Sequence, residues 1–329
     1  NTMQNLVPSI KQEMEHLGHT YQFAGEGLAS LFDGKVVSDK GKDAIKKMAQ
    51  VLSISSIKSI DNKDKHSKAL MQHLGKHLAA HIADDIITNG VGKVAQNAGA
   101  EIDGDNNKFI EWFGLYFAQQ MKDGFVKIFN GKSMAGWDAD TTFWKVKDNS
   151  LVGEVTPQTP IKTNTFLIWR GGTPADFEFK AKYRISADGN SGINYRSEEL
   201  PTIKYGLKGY QADIDGGNVY TGQNYEERGR GFLAKRGEIA LLKTDVKPTI
   251  TGTIGNADSL KAKIKINDWN DIHIIVRGNH MQHYINGVLM SEVTDEDPEK
   301  RKMSGLLGFQ VHVSKTMKVE YRKVFLKEL

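Results

Sequence analysis

The chain has no cysteine among its 329 residues, which excludes a disulfide scaffold, a thiolate nucleophile, a cysteine-ligated zinc site and an iron–sulfur cluster. It also lacks a long greasy run. The longest, Phe109 to Ala118, is broken by Glu111 and Gly114, and it falls well short of the ~18 apolar residues that a spanning helix requires. No membrane span is expected. Charge of one sign is not in large excess: 44 basic against 40 acidic side chains leave a net charge of +4, too little to argue for a nucleic acid or an anionic membrane as partner. With 39% apolar and 26% charged residues, the composition excludes a collagen-like, coiled-coil or wholly disordered chain and suits roughly two globular domains. The chain opens at Asn1 without a basic segment leading into an apolar one, so any export signal is expected to have been removed or never to have existed.

Scarcity is also uneven along the chain. Arginine is absent up to residue 123, and within that stretch Pro8 is the single proline and Trp112 the single tryptophan. There the apolar residues recur at helical spacing: Ala44, Ile45, Met48, Leu52, Ile57 and Ile60 predict one helix, and Leu70, Leu74, Leu78, Ile82 and Ile86 a second. Phe109, Trp112, Phe113, Tyr116 and Phe117 predict a short aromatic third. Residues 1–122 therefore read as a small helical accessory domain. From about residue 123 the period changes to two, bounded by Gly, Pro, Asn and Asp clusters, the pattern of an all-β sandwich or barrel over 123–329. Asp176 to Ile185 alternates most clearly, with its odd positions facing a core. Asp271–Arg277 and Met281–Ile285 follow, with Asn286-Gly287 as a hairpin turn into Val288–Met290, and Leu306–Val313 and Val319–Leu326 add two more strands.

On a sheet, side chains two apart share a face. That puts Asn194 with Arg196, groups Gln211, Asp213 and Asp215, and pairs Gln310 with His312. Two carboxyl groups separated by about 6.5 Å of backbone can divide acid and base roles, and the planar fork of Arg196 could orient a carboxylate or a substrate oxygen. The same alternation marks any solvated sheet face. The segment from Tyr220 to Glu238 is dense in Tyr225, Glu226, Glu227, Arg228 and Arg230, which suit either a salt-bridged lid or part of a site. His73, His77 and His81 stack on one helix face, but the outer two lie about 12 Å apart, too far for a single ion, so a packed or solvated face is the better reading. Among the tryptophans, Trp144 and Trp269 read as core, whereas Trp169 beside Arg170-Gly171-Gly172 is the better candidate for an exposed sugar-stacking platform.

Together the motifs form a recognisable series. Gly124-Phe125-Val126-Lys127-Ile128-Phe129-Asn130-Gly131-Lys132, Gly136-Trp137, Phe143-Trp144-Lys145-Val146 and Leu151-Val152-Gly153-Glu154 open it. Asp176-Phe177-Glu178, Asn190-Ser191-Gly192-Ile193 with Arg196, Gly209-Tyr210-Gln211, Thr221-Gly222 with Tyr225, Trp269-Asn270, Asn286-Gly287 and Gly305 through His312 continue it. Over about residues 124–329 the chain resembles the 3-keto-disaccharide hydrolase family, long known as a domain of unknown function. The resemblance implies a mainly β fold, a concanavalin-like jelly-roll β-sandwich, in an exported protein, periplasmic or extracellular, of glycan-degrading bacteria. It also implies a carbohydrate or glycoside substrate already oxidised at C3, whose C2 hydrogen a base removes so that the C1 substituent leaves and water adds. On that reading Asp213, Asp215, His312 and Glu154 transfer protons. Asn194, Arg196, Gln211, Tyr225, Glu226, Arg228, Gln310 and Trp169 hold substrate or charge, with a divalent metal as a further option. A non-catalytic carbohydrate-binding module on the same fold is the alternative.

Overall fold

A computed structural model describes residues 26, 27, 30, 36–58, 83 and 124–329. The chain divides into two compact units, Asn1–Asn130 and Gly131–Leu329. In the first, helix α1 (Asp39–Lys58) starts where the Ser38 hydroxyl accepts the backbone N–H of Gly41 at 3.1 Å, a side-chain N-cap. Its buried face carries Ala44, Ile45, Met48 and Ala49, at the spacing the sequence predicts. A two-residue strand, β1 (Val126–Lys127), also falls in this unit. The helices expected around 70–86 and 109–117, the histidine ladder, and most of the helical domain expected over 1–122 lie outside the described residues. No helix among the described residues is long and apolar enough to cross a membrane.

The second unit is a mainly β two-sheet sandwich. One sheet runs in the order β10 (Gly231–Ala234), β9 (Asn224–Glu227), β8 (Leu207–Asp215), β7 (Asn190–Glu199), β16 (Leu306–Val311), β5 (Thr165–Trp169) and β2 (Trp137–Asp138). The other runs β12 (Thr249–Thr253), β11 (Glu238–Leu242), β15 (Val288–Asp295), β14 (His280–Ile285), β13 (Asn270–Arg277), β6 (Phe177–Ile185), β17 (Met317–Glu328), β4 (Ser150–Val155) and β3 (Trp144–Lys147). A single-turn helix, α2 (Ala257–Lys261), lies between β12 and β13 and is capped by the Asn256 side chain.

The period-two code explains how the layers meet. Strand β6 buries Phe177, Phe179, Ala181, Tyr183 and Ile185 and turns the residues between them outward. Across the interior, Phe309 of β16 stacks on Tyr321 of β17 with ring centroids 4.2 Å apart. Asn286 (φ 49°) and Gly287 (φ 76°) form the tight turn between β14 and β15; both central residues are left-handed, as an Asn-Gly hairpin demands. Strands β7 and β8 depart from simple alternation because both of their faces are closed in for most of their length. Polar side chains on their outer face are therefore withdrawn from water, and this positions the site.

Candidate functional site

The outer face of β10-β9-β8-β7-β16 is built row by row. Gln211 of β8 stands opposite Asn194 of β7 on one side and Tyr225 of β9 on the other, and Tyr225 in turn faces Phe232 of β10. Asp213 faces Gly192, and Glu227 faces Gly209. Gly192 has a steric reason: a Cβ there would sit 2.6 Å from Cγ of Gln211, so only glycine lets that side chain lean across the strand. The result is a cleft of about 310 Å³, floored by Gln211, Asp213 and Gln310 and completed by Tyr225, Glu227 and His312. Loop residues Asn164, Tyr220 and Gln223 also line it, with Asn190 and Phe232.

One hydrogen-bond network runs through the floor. The amides of Gln211 and Gln223 donate to the two Asp213 carboxyl oxygens at 2.6 and 2.5 Å. Gln310 donates to Glu227 at 3.0 Å, and Asn164 donates to the other Glu227 oxygen at 3.1 Å. Burial pushes the Asp213 carboxyl up to about 7; the two amide donors oppose the rise, while the nearby charges of Glu227 and Asp215 add to it. Burial likewise raises the Tyr225 phenol, helped by Glu227 and Asp213. Such a carboxyl can take or give a proton near neutral pH.

The corner carrying Gln223 is held from the opposite sheet. His283 of β14 has Nδ1 3.2 Å from the Gln223 carbonyl and Nε2 2.7 Å from the Tyr195 hydroxyl. A carbonyl can only accept, so Nδ1 carries the proton and Nε2 accepts from Tyr195. Burial lowers the His283 pKa to about 4, keeping the ring neutral. Ser291 of β15 adds a hydrogen bond to the Gly222 carbonyl at 2.8 Å.

Of the residues singled out in the sequence, Gln211, Asp213, Tyr225, Gln310 and His312 converge on the cleft. Asn194 sits opposite Gln211 on the same face but does not line the cleft; it is fully buried and donates to Ser197 at 3.3 Å. Asp215 does not reach the cleft, because its carboxylate closes its own loop by accepting the backbone N–H groups of Val219, Tyr220 and Thr221. Arg196 does not share the face of Asn194. A bulge in β7 between Tyr195 and Glu198 and a left-handed φ of 45° swing it away. It lies buried, donating to the carbonyls of Ala175, Gly278 and Lys302 and to Asp176 at 3.0 Å.

Glu154 is on β4, in the other sheet, paired with Lys145. Trp169 is no platform: it is 1% exposed and sits in the core. Trp269, expected in the core, is half-buried beneath the guanidinium groups of Arg184 and Arg322. Glu226 turns away from Tyr225, as neighbours on a strand must, and pairs with Arg230, which also binds Asp295. Arg228 anchors loops through the carbonyls of Leu207 and Asn164.

Glu227, Tyr220, Gln223 and Phe232 fall in the segment from Tyr220 to Glu238 that reads as a lid or part of a site, but carry no individual role in that reading, and Asn164 and Asn190 carry none either. Counting by two from Tyr225 reaches Glu227, so the strand period contained that signal. The loop residues arrive through tertiary folding alone. Among the described residues, no three His, Asp or Glu side chains are grouped to hold one ion, and the Asp213 and Glu227 oxygens accept amide hydrogens.

The second unit is thus a two-sheet β sandwich with a carboxyl-bearing, amide-lined cleft on one outer face. The chain belongs to the family of 3-keto-alpha-glucoside-1,2-lyase-like domains, matched over residues 124–327. Solved structures similar to it include a Parabacteroides distasonis protein provisionally described as a glycosyl hydrolase, 19% identical, covering 64% of this chain and 96% of its own, with a TM-score of 0.43. Carbohydrate-binding module CBM66 from Bacillus subtilis is 13% identical, covering 59% and 96%, with a TM-score of 0.39. A galectin-like protein of unknown function from Bacillus subtilis is 11% identical, covering 62% and 94%, with a TM-score of 0.42. No curated protein matches the chain.

Proposed function

We propose that the cleft cleaves 3-keto-glycosides by elimination, and the observation that carries this reading is Asp213, a buried carboxyl whose pKa is raised to about 7. A ketone at C3 acidifies the hydrogen on C2. Asp213 takes that proton, and the C2–H electron pair forms the C2=C3 double bond of an enolate whose charge rests on the C3 oxygen. The pair then returns, C1=C2 forms, and the C1–O bond breaks toward the leaving oxygen. His312, on the same cleft, gives that oxygen its proton. Addition of water to C1 completes hydrolysis. The amides of Gln211, Gln223 and Gln310 supply fixed donors for the enolate oxygen, and Glu227 holds Gln310 and Asn164 in place.

A carbohydrate-binding module on the same fold is the second reading, favoured by two aromatic side chains on the cleft that remain substantially exposed, Tyr220 and Phe232. The test offers the purified protein a methyl glucoside and its 3-keto derivative and follows release of the alcohol, with and without chelator. Release from the keto sugar alone, unaffected by chelator and slowed about 100-fold or more in Asp213→Asn, is the expected result. Binding of the keto sugar without turnover would support the module instead.

A further inference from the structure

The cleft is divided by polarity along the strand order, and the division assigns its two ends to different parts of a substrate. Toward β16 and β5 stand Gln310, His312 and Asn164, joined by Glu227, which accepts from Gln310 and Asn164 although it lies at the end of β9; Tyr225 of β9 and Phe232 of β10 stand at the other end. Tyr220 joins the second group through its loop: its ring stacks on Phe232 with centroids 6.2 Å apart at 29°, and Tyr225 meets Phe232 edge-on at 5.2 Å. The group also differs in depth. Asp213 is 7% exposed, whereas Tyr220 is 41% and Phe232 48% exposed. Large aromatic faces left open to water beside a pocket usually have a ligand to cover them.

We propose that Tyr220 and Phe232, with Tyr225 behind them, form the subsite for the leaving group, and that the preferred substrates carry a flat aromatic ring attached through the C1 oxygen. This rests on the elimination reading above. Proton removal from C2 requires the sugar ring to reach the buried Asp213, where its hydroxyls meet amide donors and acceptors. The C1 substituent must then lead away from the floor. Aromatic faces can pack on the C–H face of a sugar but leave its hydroxyls without partners, whereas a planar apolar group has none to satisfy.

The experiment compares methyl and benzyl 3-keto-glucosides, whose leaving alcohols are both alkoxides, together with a 3-keto-disaccharide. Each is assayed with the wild type, Tyr220→Ala, Phe232→Ala and Phe232→Leu. The variant-to-wild-type ratio of kcat/KM cancels intrinsic leaving ability. About a tenfold loss on the benzyl substrate in each alanine variant is expected, carried by KM, and a several-fold smaller loss on methyl release. Phe232→Leu should lose less, since it retains apolar area. A thermal melt of each variant shows that it is folded. Equal losses on all three substrates, or a loss confined to the disaccharide, would overturn the proposal while leaving elimination standing. No release from any substrate by the wild type would overturn both.

Discussion

Asp213 concentrates the chemistry and a cost in one side chain. As the proposed proton acceptor it must be ionised, so kcat/KM should rise with pH along a limb of apparent pKa near 7. A pH profile of the wild type checks this, and a rising limb near the ordinary carboxylate range would count against Asp213 as the base. The same shift fixes the sign of a stability effect. A carboxyl whose folded pKa lies above its unfolded one binds protons more tightly when folded, so its contribution to stability is complete below the unfolded value near 4 and is lost as pH rises toward 7. Asp213→Asn should therefore melt higher than the wild type at about pH 8 and close to it at about pH 4, by roughly 2–4 °C per kcal/mol relieved. The new amide can be accommodated, because Oε1 of Gln211 has no hydrogen-bond partner among the described residues and a flip presents it as acceptor. Thermal melts at the two pH values decide the matter. Together with its slow turnover, the variant would show a group retained for reactivity at the expense of stability.

Strands determine which residues could be read from the sequence. Where a strand is regular, counting by two was enough: β6 turns Phe177, Phe179 and Ala181 inward, and Gln211 with Asp213, and Gln310 with His312, share the cleft. Where a strand is bulged, the count fails. The extra residue in β7 removes Arg196 from the face of Asn194, and nothing in its sequence announces that irregularity. Asp215 has the right parity but is claimed by backbone N–H groups of its own loop, a tertiary event that strand spacing does not encode. Arg196 now has a structural task, since its guanidinium ties carbonyls near β6, β13 and β16. Arg196→Ala should lower unfolding stability by about 3–5 kcal/mol, leaving buried carbonyls unpaired, with keto-sugar turnover per folded molecule near wild type. Chemical denaturation beside an active-site titration measures both, and a loss of turnover in fully folded protein would return Arg196 to the chemistry.

At the scale of the sandwich, the two sheets divide the work. One outer face carries the cleft, while its shape is maintained from across the core by His283, Ser291 and the stacked Phe309 and Tyr321. The outer face of the other sheet carries exposed ion pairs such as Lys182 with Asp271. Pairs of that kind contribute little stability each. Lys182 is thus an anchoring handle: a resin or a fluorophore coupled to its amine meets the sandwich on the side opposite the cleft, so immobilised protein should keep the proposed keto-sugar turnover.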